Sequence, residues 1–101
     1  MTHDQLAFQV GHILILTHVE PPDPTSGFVP VVVEVSGVLH RAHCVVAVDN
    51  PPTAAPLQPG DAFVVDAVPT RGHIQVERCT GGQRDGCRYM LYRYQPLPQQ
   101  A

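Results

Sequence analysis

The sequence predicts an all-β protein, a small antiparallel barrel of five or six strands with no substantial helix. The chain has 101 residues, and its 11 prolines and 8 glycines divide it into short runs. Valine is frequent in these runs, and several runs alternate in the way that a half-buried strand does. So few strands are not enough for a two-sheet sandwich of normal size, whereas closure into a barrel protects their edges.

Length and composition place the barrel in one domain. The chain is 44% hydrophobic and 15% charged, which is typical of a globular protein with a single modest core. We expect the barrel to span residues 1–95 and residues 96–101 to form a disordered tail. The longest apolar run, residues 13–16, is too short to cross a membrane. We therefore expect no membrane contact and a cytoplasmic protein with reduced cysteines.

Three strands are predicted in the first half of the chain, at residues 8–19, 28–35 and 38–48. In the second of them, valines at alternate positions form one face. A proline-rich loop at residues 20–27 follows the first strand, and Ser36-Gly37 is a tight turn.

The second half of the chain is predicted to hold strands at residues 61–68, 73–79 and 87–95. Four prolines in residues 49–60 disfavour a regular helix there. Three glycines in residues 80–86 predict a mobile hairpin loop. The pattern leaves open whether residues 61–79 form one bent strand or two strands split at Pro69.

Arginine and tyrosine are concentrated near the end of the chain. Residues 84–94 read RDGCRYMLYRY and contain three of the six arginines and all three tyrosines. On a regular strand Arg88, Tyr92 and Tyr94 share one face, and Tyr89 and Leu91 share the other. Because Tyr89 and Leu91 make a plausible inward pair, we expect the face with Arg88, Tyr92 and Tyr94 to be exposed.

Charge is divided unevenly along the chain. Residues 1–70 contain one arginine and seven acidic residues, a net charge of −6, whereas residues 71–101 contain five arginines and two acidic residues, a net charge of +3. Such a division can mark a polyanion-binding face. It can equally follow from the small number of arginines, and both interpretations stay open.

Four segments together resemble the OB-fold single-stranded DNA-binding proteins of bacteria, including the primosomal replication proteins. The segments are residues 12–19 with the turn at Asp23-Pro24, residues 26–30, residues 40–46 and residues 57–65. They are similar to the first strand and its loop, the start of the second strand, the third strand and the start of the fourth strand. The resemblance implies an OB-like barrel that binds single-stranded DNA or RNA.

The chain departs from that family in three features. A proline-rich loop stands where the replicative members usually have a helix between strands three and four. Tryptophan is absent, and no acidic docking tail follows the barrel. These departures favour an accessory protein of a phage or plasmid over a housekeeping replication protein.

A non-enzymatic, cofactor-free binding module is the function that these features predict. Single-strand binders combine aromatic rings, on which bases stack, with arginines that neutralise phosphates. The residues predicted to bind nucleic acid are Arg71, Arg78, Arg84, Arg88, Tyr92, Arg93 and Tyr94, with Phe28 and Arg41.

Two other functions stay open at this point. An acidic protein-interaction barrel, such as a small phage or mobile-element protein, could dock on a host protein through the acidic residues of 1–70. A metal site could use His40, His43 and Cys44, but on a strand His43 points away from the other two, which splits the ligand set. A disulfide between Cys79 and Cys87 is geometrically possible but is disfavoured in the cytosol.

An enzymatic function has no support in the sequence. The acidic residues are scattered singly, and no spacing indicates a nucleophile beside a base or a phosphate-binding glycine loop. We also expect a homodimer, because Val32 lies opposite Val31 and Val33 and apolar side chains therefore occupy both faces of one strand. Pairing of exposed edge strands would bury that surface.

Overall fold

The computed structural model describes residues 8–46, 56–67 and 72–98, which form six β-strands and no helix. The strands are β1 Ile13–Val19, β2 Val29–Val35, β3 Val38–Val46, β4 Ala62–Ala67, β5 His73–Thr80 and β6 Gln83–Pro96. The predicted all-β class is confirmed. Within these ranges no helix is long and apolar enough to span a membrane.

The strands close into a barrel in the order β1-β2-β3-β6-β5-β4, and all neighbouring strands are antiparallel. Pairing of Ile13 with Val64 and of Ile15 with Ala62 joins β1 to β4 and completes the ring. The predicted barrel is therefore confirmed, and a closed six-stranded antiparallel barrel is consistent with an OB-like fold. Each described strand has a partner on both sides, although β1 pairs with β4 only over residues 13–15, and the expected homodimer stays a prediction.

Two hairpins have turns of two residues. Ser36 and Gly37 connect β2 to β3 with φ angles of 52° and 79°, which confirms the predicted tight turn. Gly81 and Gly82 connect β5 to β6 with φ angles of 61° and 82°. Positive φ at both positions suits the twist of antiparallel strands. The expected mobile loop at residues 80–86 is thus a tight turn, and β6 begins at Gln83.

Alternating residues of every strand fill the barrel. The strand residues of the core cluster are Leu14, Leu16, Val31, Val33, Val35, Ala42, Cys44, Phe63, Val65, Ile74, Val76, Cys87, Tyr89 and Leu91. Phe8, which precedes β1, is 1% exposed and lies against His40 and Tyr94, with ring centroids 4.8 and 4.9 Å away. Residue 8 therefore belongs to the core, although the first strand begins at Ile13 and not at residue 8 as predicted.

The structure can be compared with several predicted segment boundaries. β4 and β5 are two antiparallel strands, so residues 61–79 do not form one bent strand. Ordered structure continues past residue 95, since β6 ends at Pro96 and the Leu97 N–H donates to the carbonyl of Leu39 at 2.9 Å. Residues 47–55, which include the first part of the proline-rich segment predicted at 49–60, lie outside the described residues, as do residues 68–71 and the tail residues 99–101.

Candidate nucleic-acid interface

Aromatic side chains form a row across the outer face of β3, β6 and β5. The strand register places His43 opposite Tyr92, and Tyr92 opposite His73. Phe28, just before β2, joins these residues by stacking on Tyr92. All four side chains are partly exposed. We call Phe28, His43, Tyr92 and His73 the aromatic row.

Ring contacts join Phe28 and His73 to Tyr92. Phe28 lies nearly parallel to Tyr92, with centroids 5.7 Å apart and an interplanar angle of 14°. His73 lies 5.2 Å from Tyr92 at 31°. Phe28 also contacts His43 of β3, so Phe28 reaches Tyr92 from the β3 side, whereas His73 of β5 reaches it from the other side. Tyr92 is thus the middle ring, with Phe28 on one side and His73 on the other.

Three exposed arginines surround the aromatic row. Arg88 precedes Tyr92 on β6, Arg93 follows it, and Arg41 on β3 pairs with Gln95 of β6. Beside the row lies an open groove of about 430 Å³, lined in part by Arg88 and Met90. The hydroxyl of Tyr92 donates to the sulfur of Met90 at 3.6 Å and connects the row to this groove.

The predicted orientation of β6 holds up to Tyr92 and then changes. Tyr89 and Leu91 are 2% and 3% exposed, which confirms the inward pair, and Arg88 is on the outside. Beyond Tyr92 the register between β3 and β6 shifts, and Arg93 adopts a left-handed φ of 53°. Tyr94 then packs against the core beside Phe8. Tyr94 therefore does not join Tyr92 on the outer face, as strict alternation would require.

Arg78 is part of the interior and not of the outer face. Its side chain is 7% exposed, and its Nε donates to Oδ2 of Asp85 at 2.7 Å. A second carboxylate, that of Asp61, lies 3.9 Å from its Nη1. Although burial by itself would raise the pKa of Asp85, hydrogen bonds from the Cys87 N–H, Arg78 and Thr80 lower it to about 2. Arg78 therefore stabilises one end of the barrel and lies out of reach of a ligand on the aromatic row.

Arg84 is exposed, but carboxylates balance its charge. Its Nη1 donates to Oδ1 of Asp66 and, at 3.0 Å, to Oε1 of Glu77. The other oxygen of Glu77 accepts the N–H of Gly86 at 2.9 Å. The hydrogen bonds that Arg84 donates to Asp66 and then to Glu77 raise the pKa of Arg84. The side chain is therefore held to β4 and β5 at the edge of the groove.

These ion pairs change the meaning of the charge division in the sequence. Arg78 and Arg84 belong to the positive segment, and they pair with Asp61 and Asp66 of the negative segment. Ion pairs within the fold therefore neutralise part of the charge difference between residues 1–70 and residues 71–101. Less acidic surface is left for a basic protein partner, and fewer arginines are left for a polyanion.

Potential metal ligands do not converge in the residues that the structure describes. No group of three or more histidine, cysteine or acidic side chains is placed to hold a metal ion in that part of the chain. His40 and Cys44 are buried, whereas His43 lies on the outer face, so the predicted split of this ligand set is confirmed. All three cysteines are free, and Cys79 lies opposite Arg84 and not opposite Cys87.

The structure adds two histidines to the predicted site and removes other residues from it. His43 and His73 enter the aromatic row because the register places them on either side of Tyr92. Sequence reasoning could not bring these two histidines together, since they are 30 residues apart along the chain. Of the predicted residues, Phe28, Arg41, Arg88, Tyr92 and Arg93 come together on this face, and Arg71 lies outside the described residues.

Comparison of the chain with protein-family models, with curated proteins and with solved structures finds no match. The barrel is therefore supported as OB-like in architecture only, and function has to be argued from the site.

Proposed function

We propose that this protein is a non-enzymatic module that binds single-stranded nucleic acid across the aromatic row. The observation that carries the proposal is the packing of Phe28 and His73 against Tyr92 on an outer face that also bears exposed arginines. Bases stacked on aromatic side chains contribute about 1–3 kcal/mol each, and stacking tolerates any base. A single strand is favoured over a duplex, because only unpaired bases present their faces.

The arginines are spaced for a nucleic-acid strand that passes over the aromatic row. Arg88 and Tyr92 are four residues apart on β6, which corresponds to about 13 Å at the usual rise of a strand. A base on the row and the phosphate of a neighbouring nucleotide fit within that span. Arg93 and Arg41 provide positive charge on the other side of Tyr92. The bound nucleic acid then runs roughly along β6, with its bases toward the rings of the aromatic row.

A modest dependence on salt follows from the number of exposed arginines. Arg41, Arg88 and Arg93 can neutralise three phosphates at most, and a single strand loses about 0.7 of a logarithmic unit of affinity per contact for each tenfold rise in salt. We therefore expect a slope of about −2 when the logarithm of affinity is plotted against the logarithm of salt concentration. A role in replication or recombination, or as a phage or plasmid accessory protein, would place the protein in the cytoplasm.

Fluorescence anisotropy with labelled single-stranded and duplex oligonucleotides tests the proposal. Phe28→Ala removes an outer ring of the aromatic row and should weaken single-strand binding by about 5- to 150-fold, the loss of one stacked base. Arg88→Ala should lower affinity and make the salt slope less steep by about 0.7. Arg84→Ala is the matched control, since it removes the same charge from a side chain already held by two carboxylates.

Two results would contradict the proposal. One is a lack of single-strand binding even at low salt. The other is an equal loss of affinity in the Arg84→Ala and Arg88→Ala variants, because that would show a general charge effect and not a site. Thermal unfolding of each variant separates lost binding from lost structure.

A further inference from the structure

The outer surface of β1, β2 and β3 is apolar and carries two opposite charges side by side. Ile13, Ile15 and Leu39 are 50%, 38% and 43% exposed, and they are three of the five large apolar side chains that the described residues expose. The charges belong to Glu34 of β2 and Arg41 of β3, both exposed. We call Ile13, Ile15, Val32, Glu34, Leu39 and Arg41 the β1–β3 face.

Strand register fixes how these side chains are arranged. Glu34 lies between Ile15 of β1 and Leu39 of β3 in one row, and Val32 lies opposite Arg41 in the next row. Side chains two residues apart on a strand point to the same side, so Glu34 and Arg41 are diagonal neighbours on one surface. Neither of them forms an ion pair within residues 8–46, 56–67 and 72–98.

We propose that the β1–β3 face joins two copies of this chain in a symmetric dimer, with Glu34 of each copy against Arg41 of the other. In a two-fold interface the same surface meets itself, so each contact occurs twice with the roles exchanged. A face with one anion beside one cation is complementary to itself under that rotation. Both ion pairs form together, and the apolar side chains around them pack on their counterparts.

The closed barrel favours contact between sheet faces over the pairing of strand edges that was expected from the sequence. Strand addition needs a free edge, and β1, β2 and β3 each have a partner on both sides. The contact must therefore be between the outer faces of two sheets. Burial of the isoleucines and leucine favours association, and the charges fix its orientation, because other orientations bring like charges together.

This inference does not depend on the proposed nucleic-acid function. The two surfaces meet only at Arg41, which lies between the aromatic row and the β1–β3 face. In the dimer its guanidinium would be occupied by Glu34 of the other copy. The exposed arginines near the aromatic row and outside the dimer contact would then be Arg88 and Arg93.

Charge reversal tests the dimer through sedimentation equilibrium and light scattering. Glu34→Arg alone places two arginines against two arginines, and Arg41→Glu alone places acids against acids. Each should weaken self-association at least about tenfold, and the double reversal should restore it. A mixture of the two single variants should form a heterodimer, since every contact then joins opposite charges. This last result also shows that both variants are folded, because a misfolded chain would not associate selectively.

Several outcomes would overturn the proposal. A wild-type protein that stays monomeric across the micromolar range has no such dimer. Single reversals that dimerise like the wild type would place the interface elsewhere, as would a mixture that gives no heterodimer. Ile15→Ser removes apolar area without a change in charge, so full dimerisation of that variant would also exclude this face. Oligonucleotide binding by the Ile15→Ser variant, which leaves Arg41 and the aromatic row unchanged, reports separately on the nucleic-acid proposal.

Discussion

Replacement of Asp85 by asparagine should destabilise the barrel, because this carboxylate balances a buried arginine. Asp85 accepts hydrogen bonds from Arg78 at 2.7 Å, from the Thr80 hydroxyl at 3.0 Å and from the Cys87 N–H at 2.9 Å. Asparagine keeps the shape and one acceptor oxygen but not the negative charge. Arg78, which is 7% exposed, would then lose its nearest carboxylate, and the carboxylate of Asp61 lies farther away, at 3.9 Å.

The expected loss in free energy of unfolding is about 2–3 kcal/mol. Breaking one partner of a buried ion pair costs about 3–5 kcal/mol, and the remaining contact with Asp61 reduces that figure. The pKa of Asp85 gives a similar value, since a decrease from 3.8 to about 2 corresponds to roughly 2 kcal/mol. The side chain of Asp85 is 21% exposed, so solvent screens only part of the interaction.

Urea unfolding at neutral pH measures this loss, with Asp66→Asn as the matched control. Asp66 pairs with Arg84, whose side chain is 53% exposed and keeps Glu77 as a second partner. Asp66→Asn should therefore cost less than about 1 kcal/mol, whereas Asp85→Asn should lower the urea midpoint by about 1 M or more. Equal effects of the two substitutions would refute the assignment of Asp85 as the principal partner of Arg78.

The same pair predicts a dependence on acid. Because the folded state lowers the pKa of Asp85, its contribution is present above the unfolded value of about 4 and is lost as pH falls through about 2. The stability difference between wild type and Asp85→Asn should therefore shrink between pH 4 and pH 2. A difference that stays constant over this range would show that the substitution acts through shape and not through charge.

Three further predictions concern the turns, the thiols and the core. Ser36→Gly should raise stability by about 0.5 kcal/mol or more in urea unfolding, because Ser36 holds a left-handed φ of 52° that glycine adopts without strain; a decrease would contradict the turn assignment. In the native protein a thiol reagent should modify the half-buried Cys79 first. Burial raises the pKa of Cys44 to about 12, and burial followed by the charge of Asp85 raises the pKa of Cys87. Equal modification rates for all three thiols would contradict the burial of Cys44 and Cys87 in the barrel. Ile74→Val should lower stability by about 0.5–1.5 kcal/mol, because Ile74 is fully buried, and a neutral result would place that side chain outside the core.

Features with a local cause were predictable from the sequence. Alternating valines predicted the buried face of β2, and Ser36-Gly37 predicted a two-residue turn, because side-chain direction and φ depend on neighbours along the chain. The inward pair of Tyr89 and Leu91 follows from the same alternation. Proline and glycine punctuation separated the strands, and the small number of strands predicted the barrel.

Features that depend on register were decided only by the tertiary structure. The bulge at Arg93 directs Tyr94 into the core, and the pairing of distant strands places His43 and His73 beside Tyr92. Ion pairs between segments are of this kind too, since Arg84 meets Asp66 across 18 positions of sequence. A shift of one residue in pairing reverses every side chain of a strand. Composition could therefore indicate an arginine- and tyrosine-rich strand, while the closed barrel determined which of those side chains solvent and ligands can reach.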